Sequence, residues 1–300
     1  MYAKYVSVAA PVLADIVSDL ALLSSGSPIS ALSASCDKVN SQILVNTDPV
    51  GWTLSDAAGP NSSKVLTAKD LSNADKFVYI APKSTTGLFI GAFDTYNPAT
   101  HTGTNQTAPA PTSNLAFTAG IVNTFNLLVN ARHLIITNAD GTVMCADLEF
   151  TRDASYLSNL SYPAHGVLFD QGDYQQVQNF MYPRVKNMVA AGDQVSARGA
   201  FVGLCSTYHG ADYSLMLPTA PMRDSTDAVY HPMTPAYLGL KQGNTDKQFT
   251  LGRIVDGFFS TSNYGSVLDT IFDGVDNFLL LLPFTGGGGG APHRLAIKIA

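Results

Sequence analysis

Carboxylate, histidine and thiol side chains are the groups in this chain whose types fit hydrolytic or nucleophilic chemistry. A catalytic histidine needs a carboxylate or a nucleophile within hydrogen-bond reach. Asp56 follows Trp52, and Asp224 and Asp227 follow Arg223, so each could belong to a hydrolase site. No spacing in the sequence pairs these carboxylates with a base, and we predict no catalytic residues among them.

Cysteine and histidine spacing gives a second test for chemistry. Cys205 and His209 lie four residues apart, which would bring them together on a helix. Val202, Leu204 and Cys205 form a β-type run instead, and His209 then falls in the following loop, so we predict no nucleophilic pair. No two histidines are spaced four apart, which favours ordinary loop and strand histidines over a zinc site. The six are His101, His133, His165, His209, His231 and His293.

Two patterns near the end of the chain resemble ligand sites. Asp269, Asp273 and Asp276 have helical spacing, whereas calcium loops need alternating ligands on irregular backbone, so a solvated helix face is the better interpretation. Residues 286–291 match a G-x-G-x-x-A pattern, but Pro292 follows where a dinucleotide site needs a helix. We therefore predict no cofactor-binding residues, no metal ligands and no cofactor, and we expect a protein that is not an enzyme.

Composition limits the classes of protein that this chain can be. It has 300 residues, of which 13% are charged and 46% hydrophobic, and a net charge of −6. The hydrophobic fraction excludes a disordered chain. The chain has 17 basic and 23 acidic residues, so it lacks the positive electrostatic field of a nucleic-acid-binding protein, and we exclude that class. The longest apolar run, Phe278 to Leu282, is far too short for a transmembrane helix.

The low charge also bears on partners. Ordinary soluble domains carry about 25% charged residues, and protein interfaces are depleted in Lys and Glu and enriched in aromatic residues. The chain has 13 Tyr, 15 Phe and 7 Met, which favours a surface covered by partner subunits over a weakly charged secreted-type domain. The three widely spaced cysteines indicate buried thiols. We find no convincing secretory signal and expect synthesis in a cytoplasm.

Hydrophobic periodicity predicts a mainly β fold with β-sandwich-like domains, an N-terminal helix and a short C-terminal helix. Apolar residues at spacings of three and four predict a helix over 11–24, capped by Gly26. Asp15, Ser18 and Asp19 would face solvent. A second helix of about ten residues is expected from Ser266 onward.

The rest of the chain indicates strands and two irregular stretches. We predict strands at 42–45, 51–56, 64–68, 77–80, 88–93, 195–202, 278–284 and 295–299, and a hairpin over 133–150 around Asp140-Gly141. Residues 94–114 and 218–236 are rich in Pro and polar residues and are expected to be irregular arms that contact other proteins. The predicted division is 1–26 as a helix or arm, 27–165 as a β-sandwich-like domain and 166–300 as a second β-rich domain.

Several segments in order resemble a known group of proteins. They are 51–59 (GWTLSDAAG), 64–66, 76–80, 130–136 (NARHLII), 149–153 (EFTRD) and 162–163. This series resembles virion structural proteins of tailed bacteriophages, of the tail, baseplate or collar type, over roughly residues 50–165. The resemblance implies a β-rich structural subunit of a symmetric assembly without catalysis.

We therefore expect a subunit of a tailed-phage virion that acts through protein–protein assembly. Its partners would be copies of itself and other virion proteins, with no nucleic acid and no membrane span, and it would be made in the cytoplasm of a bacterial host. Two alternatives stay open: a capsid decoration or head-fibre protein, and a tail protein that binds or degrades carbohydrate. Contact with a host glycan stays open together with the second alternative. Sugar sites need exposed aromatic rings, and Trp52 is the only Trp and is expected to be buried.

Overall fold

A computed structural model of the chain describes residues 1–45, 51–69, 73–93, 95–104, 115–131, 133–139, 143–147, 150–151, 165–169, 179–181, 200–205, 222–223, 229–230, 233–242, 248–260, 269–284 and 293–299. These residues are mainly β, as predicted. The chain forms two compact units. Unit 1 comprises Met1–Glu149, Ser161–Phe169 and Asn179–Val185, and unit 2 comprises Phe150–Leu160, Asp170–Gln178 and Lys186–Ala300. The predicted boundaries at residues 26 and 165 stay predictions.

The strands in the first half of the chain are β1 (Tyr2–Val6), β2 (Gln42–Val45), β3 (Thr53–Gly59), β4 (Ser63–Lys69), β5 (Asp75–Lys83), β6 (Gly87–Phe93), β7 (Thr95–Asn97), β8 (Thr102–Thr104), β9 (Leu115–Ala116), β10 (Thr124–Val129), β11 (His133–Asn138) and β12 (Val143–Asp147). Those in the second half are β13 (Phe150–Thr151), β14 (His165–Phe169), β15 (Asn179–Met181), β16 (Ala200–Cys205), β17 (Met222–Arg223), β18 (Val229–Tyr230), β19 (Met233–Gln242), β20 (Gln248–Ser260), β21 (Thr270–Phe272), β22 (Asn277–Phe284) and β23 (His293–Lys298). Helix α1 spans Leu13–Ser24, and short 3-10 turns span Ile29–Ala31 and Pro60–Ser62.

The described residues of unit 1 form two larger antiparallel sheets and one small hairpin. The seven-stranded sheet has the order β15-β14-β12-β11-β10-β1-β2, and the five-stranded sheet has the order β3-β4-β5-β6-β9. The small hairpin pairs β7 with β8. The predicted hairpin over 133–150 is confirmed for residues 133–138 and 143–147, because β11 pairs with β12 in a continuous antiparallel register. Its predicted turn at Asp140-Gly141 lies outside the described residues, and Phe150 belongs to β13, which pairs with β20.

Helix α1 confirms the predicted N-terminal helix and its end, although it begins at Leu13 and not at residue 11. Gly26 has φ +84°, its amide donates to the carbonyl of Leu23, and the amide of Ser27 donates to the carbonyl of Leu22. This pair of bonds is the Schellman motif, which places a left-handed residue, usually glycine, just after a helix. The helix ends here because only this backbone conformation satisfies its last carbonyls.

The core of unit 1 joins the helix to both larger sheets. Side chains that are buried together come from α1, β1, β4, β5, β6 and β10; the largest include Tyr5, Ile16, Leu20, Leu23, Leu66, Tyr79, Phe93 and Phe125. Trp52 is buried, as predicted, and its Nε1 donates to the carbonyl of Asn130 at 2.8 Å. Burial of apolar surface on this scale is the main source of stability in such a unit.

Unit 2 is built on a second seven-stranded antiparallel sheet. Six of its strands have the order β16-β19-β20-β23-β22-β21, and β13 pairs with β20. A small hairpin pairs β17 with β18. Ile271, Phe278, Leu280 and Ala296 form a buried cluster in this sheet.

The predicted C-terminal helix is wrong over the described residues from 269 onward. Residues 270–272 form strand β21, and a turn leads to β22. Asp273 Oδ1 accepts hydrogen bonds from the amides of Val275 and Asp276, both at 2.8 Å, and Gly274 has φ +107°. An aspartate that satisfies nearby amides in this way stabilises a turn at the expense of a helix.

The two predicted irregular stretches also contain regular structure. β7 and β8 lie within 94–114, and β17, β18 and the start of β19 lie within 218–236, so the prediction that these stretches lack strands is wrong there. Pro235 lies in β19 at a shift of register between Pro235 and Tyr237. A proline is tolerated in a strand at such a bulge, because the missing amide leaves no ladder bond unmade.

Candidate functional site

A buried carboxylate at the β3 strand holds the β7–β8 hairpin of unit 1. Asp56 lies in β3 and is only 7% exposed. The pairing of β3 with β4 shifts register on both sides of Asp56. Such bulges re-aim a side chain out of the regular pleat. Asp56 therefore belongs to the interior although its side chain is charged.

Three donors satisfy the Asp56 carboxylate. The amide of Ala58 donates to Oδ1 at 2.7 Å. The Tyr96 hydroxyl donates to Oδ2, and His101 Nδ1 lies 2.7 Å from the same oxygen. Buried charges persist in proteins when they are hydrogen-bonded in this way. Two of the three contacts, from Tyr96 and His101, join β3 to a hairpin that begins about forty residues later, and the third lies within β3.

The hairpin reaches this position through two local features of its sequence. A Cβ atom at Gly103 would lie 2.4 Å from Cδ1 of Phe93, so only glycine lets the hairpin lie this close to β6. His101 ends the turn with φ +53°, an uncommon conformation for a residue other than glycine. The ring of Tyr96 packs against Phe93 with centroids 4.9 Å apart. The strained turn persists because the contacts around it hold it.

Protonation states in this cluster follow from its contacts. Burial raises the pKa of Asp56, but the hydrogen bonds from Tyr96, His101 and Ala58 outweigh it, so the pKa lies below its ordinary value. Burial, with the hydrogen bond and charge of Asp56, raises the pKa of Tyr96. At neutral pH Asp56 is therefore ionised and Tyr96 is a donor. A carboxylate accepts only, so Nδ1 of His101 carries a proton.

This arrangement fixes what the histidine offers to its surroundings. With Nδ1 protonated, Nε2 of the neutral ring is an acceptor, and the side chain is 51% exposed. Within the described residues, no serine, threonine or cysteine hydroxyl or thiol is hydrogen-bonded to His101. The Asp56–His101 pair thus resembles the carboxylate and histidine of a catalytic triad. In the described residues, the contacts of Asp56 position the hairpin and the imidazole ring.

A second buried carboxylate organises the helix side of unit 1. Asp19 is fully buried and accepts from the Tyr5 hydroxyl at 3.0 Å and from both the amide and the hydroxyl of Ser33 at 2.7 Å. The prediction that Asp19 faces solvent is wrong, because Tyr5 and the segment around Ser33 cover that face of α1. Burial and the neighbouring Asp19 raise the pKa of Tyr5.

Two turns that flank the end of β1 hold apolar side chains in solvent. Asp37 Oδ1 accepts from the amides of Val39 and Asn40, and Val39 is 86% exposed. Asn123 bonds to Thr118 through both its amide nitrogen and its oxygen, and to the carbonyl of Ile121.

Ile121 and Val122 at the tip of the second turn are 53% and 51% exposed. Both turns are bonded to the same short segment: Asp37 donates to the carbonyl of Val6, and Ser7 donates to the carbonyl of Asn123. The two turns therefore lie at the same end of unit 1, and we call Val39, Ile121 and Val122 the apolar tip.

The other carboxylate and thiol candidates that the structure describes belong to unit 2. Asp273 organises the β21–β22 turn, and Asp276 pairs with Lys298 at 2.8 Å. Cys205 ends strand β16, as the strand interpretation requires. Among the described residues, no three His, Cys, Asp or Glu side chains are grouped to hold a metal. His133, His165 and His293 lie in strands β11, β14 and β23, and Asp269 directly precedes β21. The remaining candidates lie outside the described residues: His209, His231, Asp224, Asp227, residues 286–291 and Pro292.

The sequence contained part of the signal for the Asp56 cluster. Asp56 and His101 have side chains of the types that fit a catalytic site, but their separation of 45 residues gives no reason to pair them. Tyr96 was missed. Its signal is the alternation of Thr95, Tyr96 and Asn97 before a turn, which puts one aromatic residue on the inner face of a short strand.

Two comparisons with known proteins found no relative of this chain. Neither the models of known protein families nor the curated proteins contain a match to the chain. In the part of the chain that the structure describes, no helix is long and apolar enough to cross a membrane.

Proposed function

We propose that this protein is a structural subunit of a tailed-phage virion, in the tail, baseplate or collar, and that it acts by association with its own copies and with other virion proteins. The resemblance of residues 50–165 motivates the virion part of the proposal. The low charged fraction of 13% supports association, because the surface lacks the interspersed charge that keeps free monomers apart.

The apolar tip is the observation that carries the proposal. Val39, Ile121 and Val122 are β-branched residues whose side chains lose little freedom when they are buried. Asp37 and Asn123 fix the turns that hold them, so docking would need little ordering of backbone. Full burial of an exposed side chain of this kind contributes about 1.5–3 kcal/mol, and the half-exposed Ile121 and Val122 would each gain about half of that. We assign the tip to contact with a second copy of the chain.

We also propose that the two larger sheets of unit 1 pack face to face as a sandwich. Support comes from the shared core, in which residues of both sheets and of α1 are buried together. The proposal also assigns Asp56 a structural role, because its carboxylate holds the hairpin through its contacts with Tyr96 and His101. A capsid decoration or head-fibre protein would use the same kind of contacts.

Sedimentation velocity on matched variants tests the association. The double variant Ile121→Ser/Val122→Ser removes two apolar side chains from the tip, and Val275→Ser, at an exposed valine of unit 2, is the control. We expect the double variant to weaken self-association by at least about tenfold, since about 1.4 kcal/mol corresponds to that factor, and the control to match the unmodified chain. Equal self-association of all three proteins would contradict the assignment.

A further inference from the structure

A row of polar side chains crosses the seven-stranded sheet of unit 1 on the face opposite to the shared core. Lys4 of β1 pairs with Gln42 of β2 on one side and with Asn126 of β10 on the other. Asn126 in turn pairs with Thr137 of β11. Residues that pair directly across antiparallel strands share a face and have Cβ atoms about 5 Å apart. The four side chains therefore form one continuous row.

The two members of this polar row on β10 and β11 are buried polar groups without a partner. Asn126 is 4% exposed, and Thr137 is fully buried. Neither Nδ2 of Asn126 nor Oγ1 of Thr137 has a hydrogen-bond partner among the described residues. Buried polar side chains are nearly always hydrogen-bonded, and an exception points to a bound water or ion. Two such exceptions on adjacent strands therefore indicate a binding site.

The polar row leads from solvent into the interior of unit 1. Gln42 and Lys4 are exposed, whereas Asn126 and Thr137 are buried. Lys4 forms no ion pair with any described residue, and strands β1, β2, β10 and β11 contain no Asp or Glu. In a chain whose net charge is −6, the open end of the row thus carries a cation with no anion on its own four strands.

The chemistry of the polar row selects the ligand. The Lys4 ammonium and Nδ2 of Asn126 can only donate hydrogen bonds, and the Thr137 hydroxyl can donate one as well. A carboxylate accepts about four hydrogen bonds and also neutralises one cation. A phosphate carries nearly two charges at pH 7, and these four strands contain no second Lys and no Arg. The row therefore fits the charge and the acceptors of a single carboxylate.

Apolar neighbours strengthen the attraction between such a carboxylate and Lys4. Leu128 and Ile135 pair with each other and follow on the same face of β10 and β11. They are 7% and 2% exposed, so the buried end of the polar row adjoins apolar side chains. Opposite charges attract each other more strongly in such surroundings than in water.

We propose that Lys4, Asn126 and Thr137 bind the carboxylate group of a small monocarboxylic acid. The Lys4 ammonium and Nδ2 of Asn126 donate to its oxygens from the open side, and the Thr137 hydroxyl donates from the buried end. The inference does not rest on the assembly proposal, because the polar row and the apolar tip share no residue.

Titration of the full chain with defined acids tests the inference. The probes are acetate, butyrate and benzoate, with butyramide as the neutral comparison and phosphate as the comparison of higher charge, all at constant ionic strength. Calorimetry and saturation-transfer NMR measure the binding.

Two variants and one control are compared in these titrations. Lys4→Met removes the charge of an exposed residue and keeps an unbranched side chain. Thr137→Val deletes the buried hydroxyl and keeps the β-branched shape. Lys69→Met is the control, because Lys69 is an exposed lysine of the five-stranded sheet whose ion pair with Asp75 lies on the surface.

We expect at least one carboxylate to bind, Lys4→Met and Thr137→Val each to raise its Kd by about tenfold or more, and Lys69→Met to stay within about twofold. Thr137→Val should keep or raise the Tm of the ligand-free chain, because it removes a buried hydroxyl that has no partner. This measurement separates a loss of binding from a loss of folding.

Several results would overturn the inference. If no carboxylate binds at about 10 mM, the partner of Asn126 and Thr137 is a buried water only. Unchanged Kd values in Lys4→Met or Thr137→Val, or butyramide or phosphate binding as tightly as the best carboxylate, would also contradict it. A changed sedimentation coefficient of Lys4→Met would do so too, because Lys4 would then contact an acidic residue of another copy.

Discussion

The substitution Tyr96→Phe isolates one hydrogen bond of the Asp56 cluster. It deletes the hydroxyl that donates to Asp56 Oδ2 and leaves the ring in contact with Phe93 at 4.9 Å and Phe77 at 6.1 Å. A hydrogen bond to a charged group contributes about 1.5–3 kcal/mol. Ala58 and His101 still satisfy the carboxylate, so we expect the free energy of unfolding to fall by about 2 kcal/mol.

The same variant has a defined pH dependence. The pKa of Asp56 lies below its ordinary value in the folded protein, so its contribution is present above the unfolded-state pKa and is lost as pH falls through the folded-state pKa. The Tyr96 hydroxyl favours the ionised carboxyl, and its bond to a protonated one is weaker. The stability difference between the unmodified chain and Tyr96→Phe is therefore expected to shrink as pH falls below about 4.

Urea unfolding at pH 7 and at lower pH measures both effects, and hydrogen exchange of the amides in 95–104 reports a local opening of the hairpin. Tyr2→Phe is the matched control, because the structure gives the Tyr2 hydroxyl no hydrogen bond to a described residue. A double-mutant cycle with Asp56→Asn measures the coupling, which we expect to be about 1 kcal/mol or more. Unchanged stability and exchange in Tyr96→Phe, together with additive effects in the cycle, would refute the reasoning.

Three further substitutions or modifications test other parts of unit 1. Asp19→Ala leaves three buried or partly buried donors without an acceptor and should lower the free energy of unfolding by about 3 kcal/mol in urea titrations, whereas Ser18→Ala should change it by less than about 0.5. Gly91→Ala places a Cβ 2.3 Å from Cζ of Tyr79 and should cost about 1–3 kcal/mol, seen as a lower Tm. Burial raises the pKa of the Cys36 thiol, so mass spectrometry should find its peptide labelled by a thiol reagent only after unfolding.

Local sequence patterns predicted helices and strands better than they predicted the tertiary contacts of individual side chains. Helix α1 and the β11–β12 hairpin follow from periodicity and turn residues, which act within a few positions of the chain. The burial of Asp19 does not follow in this way, because Tyr5 and Ser33 reach it from other segments. A polar residue on a helix looks solvent-facing until the tertiary partners that satisfy it are known.

The contacts within the candidate site were also not predictable from local sequence patterns. The sequence contains an aspartate and a histidine of the right types, but the contact between Asp56 and His101 depends on a hairpin inside a stretch that looked irregular. Proline and threonine content favoured a loop there, and the position of Gly103 against Phe93 was not visible. The spacing of the aspartates around Asp273 predicts a helix. A turn forms there instead, because the Asp273 side chain accepts hydrogen bonds from two backbone amides.

The molar mass of the full chain in solution tests the central claim of assembly most directly. Light scattering coupled to size-exclusion chromatography, run over a hundredfold range of concentration, gives this mass without reference to shape. Self-association through the apolar tip predicts a mass of two or more copies that falls on dilution or a closed oligomer of fixed mass, against 31.7 kDa for one copy. A mass of one copy at every concentration would contradict the claim.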